Sequence, residues 1–365
     1  MGRPKECYFC ARLVNAADGE HRKKINPSKH SSVKPLFWTF ETSLSSQTLA
    51  NWTARNVIAQ RFAVVTQVFD NDSEKVTLLM VFKSSGELLW VHEITDAQAD
   101  NVGTYFYVAI DNGGRVYLTW PKQPTPFRRT LTAFHADGSL LYEMEWPTAA
   151  SQNEIWHPEA TGFGANAILF ANAAPFLGTR RIEARNAENP STLIWSDSSM
   201  AGLYPLHYDP MHNWLTAING KVFNAADGSV VSPSNGFWLG SGGGYMWRSV
   251  DPLNPSVSGY RVYSTSDLVN PILTVSTSIV AIGGIVGGVC SLTGQILIAA
   301  TNPGEELWMI LNPSGEVVSR FDYGWWDDAG TPNRIINTSW AGWNGDGTGV
   351  VIGPFNAQFP GSVPA

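Results

Sequence analysis

The sequence predicts an all-β chain built from repeats, and three observations carry that expectation. An apolar fraction of 44% with only 15% charged residues supplies a large core and rules out intrinsic disorder. The 34 Gly, 22 Pro and 15 Trp suit short strands joined by tight turns. A phrase of turn followed by apolar strand recurs along most of the chain.

The phrase reads Lys83-Ser-Ser-Gly86-Glu-Leu-Leu-Trp90, then His135-Ala-Asp137-Gly138-Ser-Leu-Leu-Tyr142. Looser copies are Asn189-Pro190-Ser-Thr-Leu-Ile-Trp195, Asn224-Ala-Ala-Asp227-Gly228-Ser-Val-Val-Ser232 and Asn312-Pro-Ser-Gly315-Glu-Val-Val-Ser319. A degenerate copy runs from Ser266 to Thr274, and Leu36-Phe37-Trp38-Thr39-Phe40 has the apolar half alone. Asp-Gly and Ser-Gly accept the positive φ of tight hairpins, which explains the turn half. Anchor positions 38, 90, 142, 195, 232, 274 and 319 are spaced by 52, 52, 53, 37, 42 and 45 residues. That period predicts one four-stranded blade per repeat, a β-propeller. A ring must close or expose sheet edges. The expected architecture is therefore seven blades, the last built from 324–353 and closed by residues 36–42. Because the copies around 200–275 are weak, the spacing also admits six or eight blades. The expected organisation is a basic arm over 1–35, a propeller over 36–355 and a tail over 356–365.

One stretch imitates a membrane span, since Ile279–Ala300 is uncharged and apolar. Its β-branched content and the polar turn Ser291-Leu-Thr-Gly294-Gln295 predict two buried strands instead. Met1–Glu6 leads into Cys and charge rather than an apolar run, which predicts cytoplasmic synthesis without a secretory signal.

The repeated "aDGslLW" phrase resembles the quinoprotein-like and WD-like propellers over residues 36–355. Trp326-Asp327 is the one Trp-Asp dipeptide, Cys290 has no adjacent cysteine for a quinone site, and the kelch and sialidase patterns are absent. The resemblance therefore implies a fold and no activity.

Residues 1–35 form a separate object. They carry eight Lys/Arg against three acids, +5, while the remainder of the chain carries −12. Cys7-Tyr-Phe-Cys10 has the spacing by which two thiolates grip one face of a tetrahedral ion. Arg12–Asn15, the turn Ala16–Gly19 and Glu20-His21 read as a following hairpin, with His21 as third ligand and His30 as fourth. The expected cofactor is one structural Zn²⁺; the alternative is two free thiols in a small hairpin. So short a segment has little core, so metal or a partner must order it.

Three constellations are candidate sites. His207-Tyr-Asp209-Pro-Met-His212 needs a turn at Asp209-Pro210 to converge. Glu154-Ile-Trp156-His157-Pro158-Glu159 sets two carboxylates near an aromatic ring and is expected between blades. Trp325, Trp326, Asp327 and Asp328, with Trp340 and Trp343, combine aromatic and acidic groups. That combination suits stacking on a sugar, a protein contact, or a stapled closing blade.

Two classes of function follow. The first is a structural or interaction protein: a rigid platform that joins other subunits through its basic arm, as an oligomer or part of a large complex. In style it looks like the propeller-bearing proteins of tailed-phage virions. The second is a carbohydrate-binding or carbohydrate-active propeller, a lyase or glycosidase. Nucleic acid is disfavoured as a partner, because the acidic body repels phosphate, and no membrane span is expected. Elemental analysis is expected to find one zinc per chain, lost when Cys7 and Cys10 are changed to Ser; chelation should loosen the arm and leave the body folded.

Overall fold

The computed structural model describes residues 12–15, 38–41, 51–69, 75–94, 106–121, 129–146, 154–174, 181–198, 206–217, 221–232, 238–250, 259–275, 286–302, 305–322, 325–326, 332–333, 340–343 and 350–353. Among these the only helix is the 3₁₀ turn Gly164–Asn166, and all other regular structure is β. No described helix is long and apolar enough to cross a membrane. The uncharged stretch forms strands Val286–Val289 and Ile296–Asn302, separated by the anticipated turn.

Six four-stranded antiparallel sheets follow one another, each an unbroken meander in which strands pair in chain order. Their first strands are Asn51–Asn56, Tyr107–Ile110, Glu154–Thr161, Leu206–Asp209, Trp238–Gly242 and Val286–Val289. Their fourth strands are Leu88–Glu93, Leu140–Glu145, Leu193–Asp197, Val230–Ser232, Leu273–Val275 and Val317–Asp322. Successive first strands lie side by side. A meander reverses at each turn, so the first-to-second and third-to-fourth hairpins open on one face.

The core sits between sheets rather than within one layer. Ala63, Val65, Leu79 and Val81 of the first sheet interlock with Val108, Ile110, Val116 and Leu118 of the second. The same contact recurs between second and third, third and fourth, and fifth and sixth sheets. The middle strands are covered on both faces, which explains why Phe62–Val65 and Leu78–Phe82 are buried without interruption.

Six of the seven anchors, at 90, 142, 195, 232, 274 and 319, fall in fourth strands; the seventh, Trp38, does not. In five of the six sheets the register slips by one residue just before the fourth-strand anchor, as in Val81↔Trp90 followed by Phe82↔Leu88. The slip follows from the turn. Lys83 N–H bonds Glu87 O and Gly86 N–H bonds Lys83 O, with Gly86 at φ 88°, a type I turn closed by a glycine bulge. Where the turn reads Asp-Gly-Ser, the carboxylate of Asp137 accepts from Ser139 N–H (3.0 Å) and Oγ–H (2.6 Å). Asp227 and Ser229 repeat this arrangement.

These turns also staple one sheet to the next. Trp90 of the first sheet donates its indole N–H to Ala136 O in the second (3.2 Å), and a Cβ at Gly138 would lie 2.7 Å from its ring. Trp195 of the third sheet donates to Ala225 O in the fourth (3.0 Å), with Gly228 lying against its ring in the same way. Tyr142 of the second sheet donates to Ala187 O in the third (2.7 Å). Each glycine is thus required twice, for its positive φ and for its missing side chain.

The N-terminal pairing differs from expectation. Trp38–Glu41 runs antiparallel to Arg12–Asn15, with Arg12 opposite Glu41, rather than joining the end of the chain. The second strand expected of the Arg12–Asn15 hairpin, at Glu20-His21, lies outside the described residues. At the C-terminal end Trp340–Trp343 pairs with Val350–Gly353 as a two-stranded sheet.

Replacing Trp195 by Ala is expected to cost about 3–5 kcal/mol in urea denaturation, as for other buried indoles. Trp195→Phe should lose only about 1 kcal/mol with the hydrogen bond. Equal losses from both would deny the staple its packing part.

Candidate functional site

The first strands carry polar side chains to one level near the axis around which the sheets are arranged. Arg55 is the penultimate residue of its strand, Glu159 lies two residues before the end of Glu154–Thr161, and His207 two before the end of Leu206–Asp209. Arg55 lies within electrostatic reach of both Glu159 and His207, which come from three different sheets.

Space for them comes from bulges and missing side chains. Register slips occur in the first strands at Trp156/Glu159, Trp238/Gly240 and Val286/Gly288. A Cβ at Gly288 would collide with the Arg55 guanidinium, and one at Gly240 would lie 2.9 Å from the His207 ring. Both glycines have φ in the range unfavourable to side chains, 101° and 138°. Strand glycines of this kind mark a close approach by another group.

Burial sets the charge states. Loss of water pushes the Glu159 carboxyl up to about 8, against a usual 4.5, although the positive charge of Arg55 pulls the other way. Burial likewise lowers Arg55, with Glu159 opposing it, and a guanidinium keeps its proton regardless. His207 is lowered by burial and is therefore neutral at pH 7. Its Nε2 lies 3.0 Å from Ser241 O, and since a carbonyl only accepts, Nε2 carries the hydrogen.

Around this level the strand ends are tied by side-chain caps. Asn56 accepts from Ile58 and Ala59 N–H, and its Nδ2 donates to Ile110 O and Asn112 Oδ1, joining the first sheet to the second. Asp111 accepts from Gly113 and Arg115 N–H and from the Tyr117 hydroxyl. Asp209 accepts from Met211 N–H (2.9 Å) and from His212 Nδ1 (2.8 Å). The turn at Asp209-Pro210 thus unites Asp209 with His212, while His207 goes to the axis.

A second buried charged cluster is internally satisfied. The Glu183 carboxylate accepts from Arg181 Nε (2.6 Å), Arg185 Nε (2.8 Å) and Trp146 Nε1 (3.0 Å). Burial opposes its charge, but these donors win and hold its pKa low. Full pairing makes it a structural tie between the second and third sheets.

Of the other expected site residues, Cys7, Cys10, His21 and His30 lie outside the described residues, as do Asp327 and Asp328. No group of three or more potential metal ligands occurs among the described residues. Trp325–Trp326 pairs with Pro332–Asn333. Trp340 opens the strand Trp340–Trp343. Trp343 is buried, 2% exposed, and its indole donates to Gly288 O (3.1 Å). It packs against the strand Val286–Val289, whose Gly288 lies against the Arg55 guanidinium. Glu159 lies in a strand, not in a loop between blades. Sequence reading missed Arg55 and the purpose of Gly240 and Gly288; glycines inside apolar strand segments, Trp238-Leu-Gly240 and Val286-Gly-Gly288-Val289, were the available signal.

The sheet order and interlocking cores make the chain a β-propeller. No protein-family model matches the sequence, and no curated protein matches it. Among solved structures it is similar to the β-propeller domain of the Trilobed protease from Pyrococcus furiosus, at TM-score 0.44 and 10% identity, covering 76% of this chain and 84% of that one. It is also similar to a prolyl endopeptidase, at TM-score 0.49 and 9% identity over 80% of this chain and 44% of that one. A eukaryotic initiation factor structure matches at TM-score 0.38 and 10% identity, over 74% and 87% of the two chains.

A carboxyl whose pKa is raised by folding takes up protons more readily folded than unfolded. Its contribution is present in full below about 4.5 and is lost as pH rises through about 8. Urea midpoints should fall between pH 5 and pH 9, and Glu159→Gln should flatten that decline.

Proposed function

We propose that this protein is a structural, non-enzymatic platform in a multi-subunit assembly, with a tailed-phage virion as its setting, and that it binds the basic arm of a neighbouring copy along its rim. The observation that carries the reading is the outer edge. Each fourth strand pairs on one side only, so its other backbone edge carries no ladder within the sheet. These edges expose aliphatic side chains, including Leu140 (60%), Leu193, Ile194, Val230, Val231, Val317 and Val318. An apolar open edge is what a further strand adds to. Exposed Glu93, Glu143 and Glu145 lie on the edges of the first two sheets. The +5 charge of residues 1–35 complements them, as it does the −12 of the remaining chain.

We also read the ring as seven-bladed. Trp340–Trp343 lies beside both Asn51–Asn56 and Val286–Val289, the first strands of the first and sixth sheets. The Trp343–Gly288 hydrogen bond and the reach of Arg55 to Gly288 support that placement.

Deleting residues 1–35 should leave a folded protein that no longer self-associates, and association of the intact chain should weaken between 50 and 500 mM salt, on the order of tenfold or more. Light scattering and sedimentation read both. Salt-independent association, or association by the truncated chain, would refute the arm as the ligand of the rim.

A further inference from the structure

We propose that the hairpin face of the propeller is a docking surface for a partner polypeptide with an apolar centre flanked by Lys and Arg. The connections between first and second strands, and between third and fourth strands, open on this face, and in the six four-stranded sheets all of them are described. The two sets differ in chemistry. The first-to-second connections carry exposed apolar tips: Ile58, Phe163 (59%), Met211 (59%) and Leu292. Among these connections only the second sheet's holds Asp, Glu, Lys or Arg, namely Asp111 and Arg115. Hydrogen bonds between sheets join the tips into one surface. Asn56 Nδ2 donates to Asn112 Oδ1 (3.0 Å), Asn112 N–H to Gly162 O (3.1 Å), and Gly243 N–H to Ser291 O (3.2 Å). The Ser291 hydroxyl donates to Tyr208 O (3.4 Å), which ties the sixth sheet's tip to the fourth sheet.

The third-to-fourth connections surround these tips, because fourth strands lie outermost in each sheet. Each of the six carries one acid and no Lys or Arg: Glu87, Asp137, Glu188, Asp227, Asp267 and Glu316, all exposed. Hydrogen bonds from Ser139, Ser229 and Asn270 hold Asp137, Asp227 and Asp267 below the usual carboxylate range, so they are ionised at neutral pH. Lys83 pairs with Glu87, and Arg115 with Glu188. The other four carboxylates have no ion pair among the described residues. In the fifth sheet's connection Val269 and Ile272 are exposed near Asp267. Charge selects the occupant of an apolar centre ringed by carboxylates. A second copy presenting this same face would set like charges together, and nucleic acid or an anionic membrane would be repelled. A segment with apolar side chains at its middle and cations at its ends satisfies both zones.

Binding is tested on the full-length chain by fluorescence anisotropy with two labelled synthetic peptides. One has a Leu-rich centre flanked by Lys; in the other Ser replaces Leu. The expected result is saturable binding of the Leu peptide, weakening about tenfold between 50 and 500 mM salt. Phe163→Ser combined with Met211→Ser should weaken the Leu peptide about tenfold and leave the Ser peptide unchanged, since only the former gains from the apolar tips. Asp137→Asn, Asp227→Asn and Asp267→Asn together keep an oxygen to cap each turn, and should weaken both peptides and reduce the salt response. All five side chains are exposed, so these variants keep the fold. Absence of saturable binding, equal affinity for the two peptides, or indifference of the Leu peptide to either variant overturns the docking surface. Loss of self-association in the Phe163 and Met211 variant would make the face a contact between copies and would likewise overturn a foreign partner. Arm and rim are unchanged in every variant, so this inference can fail without the arm-and-rim proposal failing.

Discussion

The architecture depends on one contact: an aromatic side chain on a fourth strand pressed against the backbone of the following sheet's hairpin. A single four-stranded meander leaves both faces apolar and cannot stand alone. Its neighbours must be held at a fixed distance and angle. The indoles of Trp90 and Trp195 do this by packing against a glycine and donating to a carbonyl in the adjoining turn. Trp195 also lies between Phe170 of its own sheet and Phe223 of the next, with ring centroids 5.9 and 5.6 Å away. Because each contact links successive sheets, the structure accumulates stability from sheet to sheet.

The same device explains why the phrase is longer than a turn requires. A hairpin needs only a residue that tolerates positive φ. At Gly138 and Gly228 the glycine is further demanded by the preceding sheet's indole, and the serine after it by the aspartate cap; at Gly315 the neighbours are Leu273 and Val275. Where the copy departs, the contact changes. The third sheet has Asn189-Pro190 instead of Asp-Gly, and there the Tyr142 hydroxyl reaches Ala187 O before the turn. In the fifth sheet, whose copy is degenerate, no register slip precedes the anchor Thr274.

At the axis the requirement is opposite. First strands from different sheets converge, and polar side chains placed there lose water without gaining a ladder partner. Some are resolved locally, as when Asp111 and Asp209 fold back on their own turns. Arg55 and Glu159 come within electrostatic reach of each other only through the packing of different sheets, and glycines at 288 and 240 make room for Arg55 and His207. The rim has the converse property: its strands keep an open backbone edge and exposed aliphatics. Rigid interior, polar axis and open edge are thus separate consequences of arranging meanders side by side.

The sequence by itself determined the strand content, the repeat and the position of the fourth strand in each of the six four-stranded sheets, because turn chemistry and β-branched runs act over a few residues. Asp137-Gly138-Ser139 caps itself wherever it occurs, and the turn at Ser291–Gln295 divides an uncharged run without help from distant residues. It also showed that His207–His212 needs a turn at Asp209-Pro210. Tertiary structure alone decided that His207 leaves that group for the axis, that Glu159 meets Arg55, and that Trp38–Glu41 pairs with Arg12–Asn15. Arg55 and Glu159 are more than a hundred residues apart, in strands of unremarkable composition, so no local pattern announces their meeting. Their proximity follows from the angle at which successive sheets pack, a sum of many side-chain contacts that no short segment encodes.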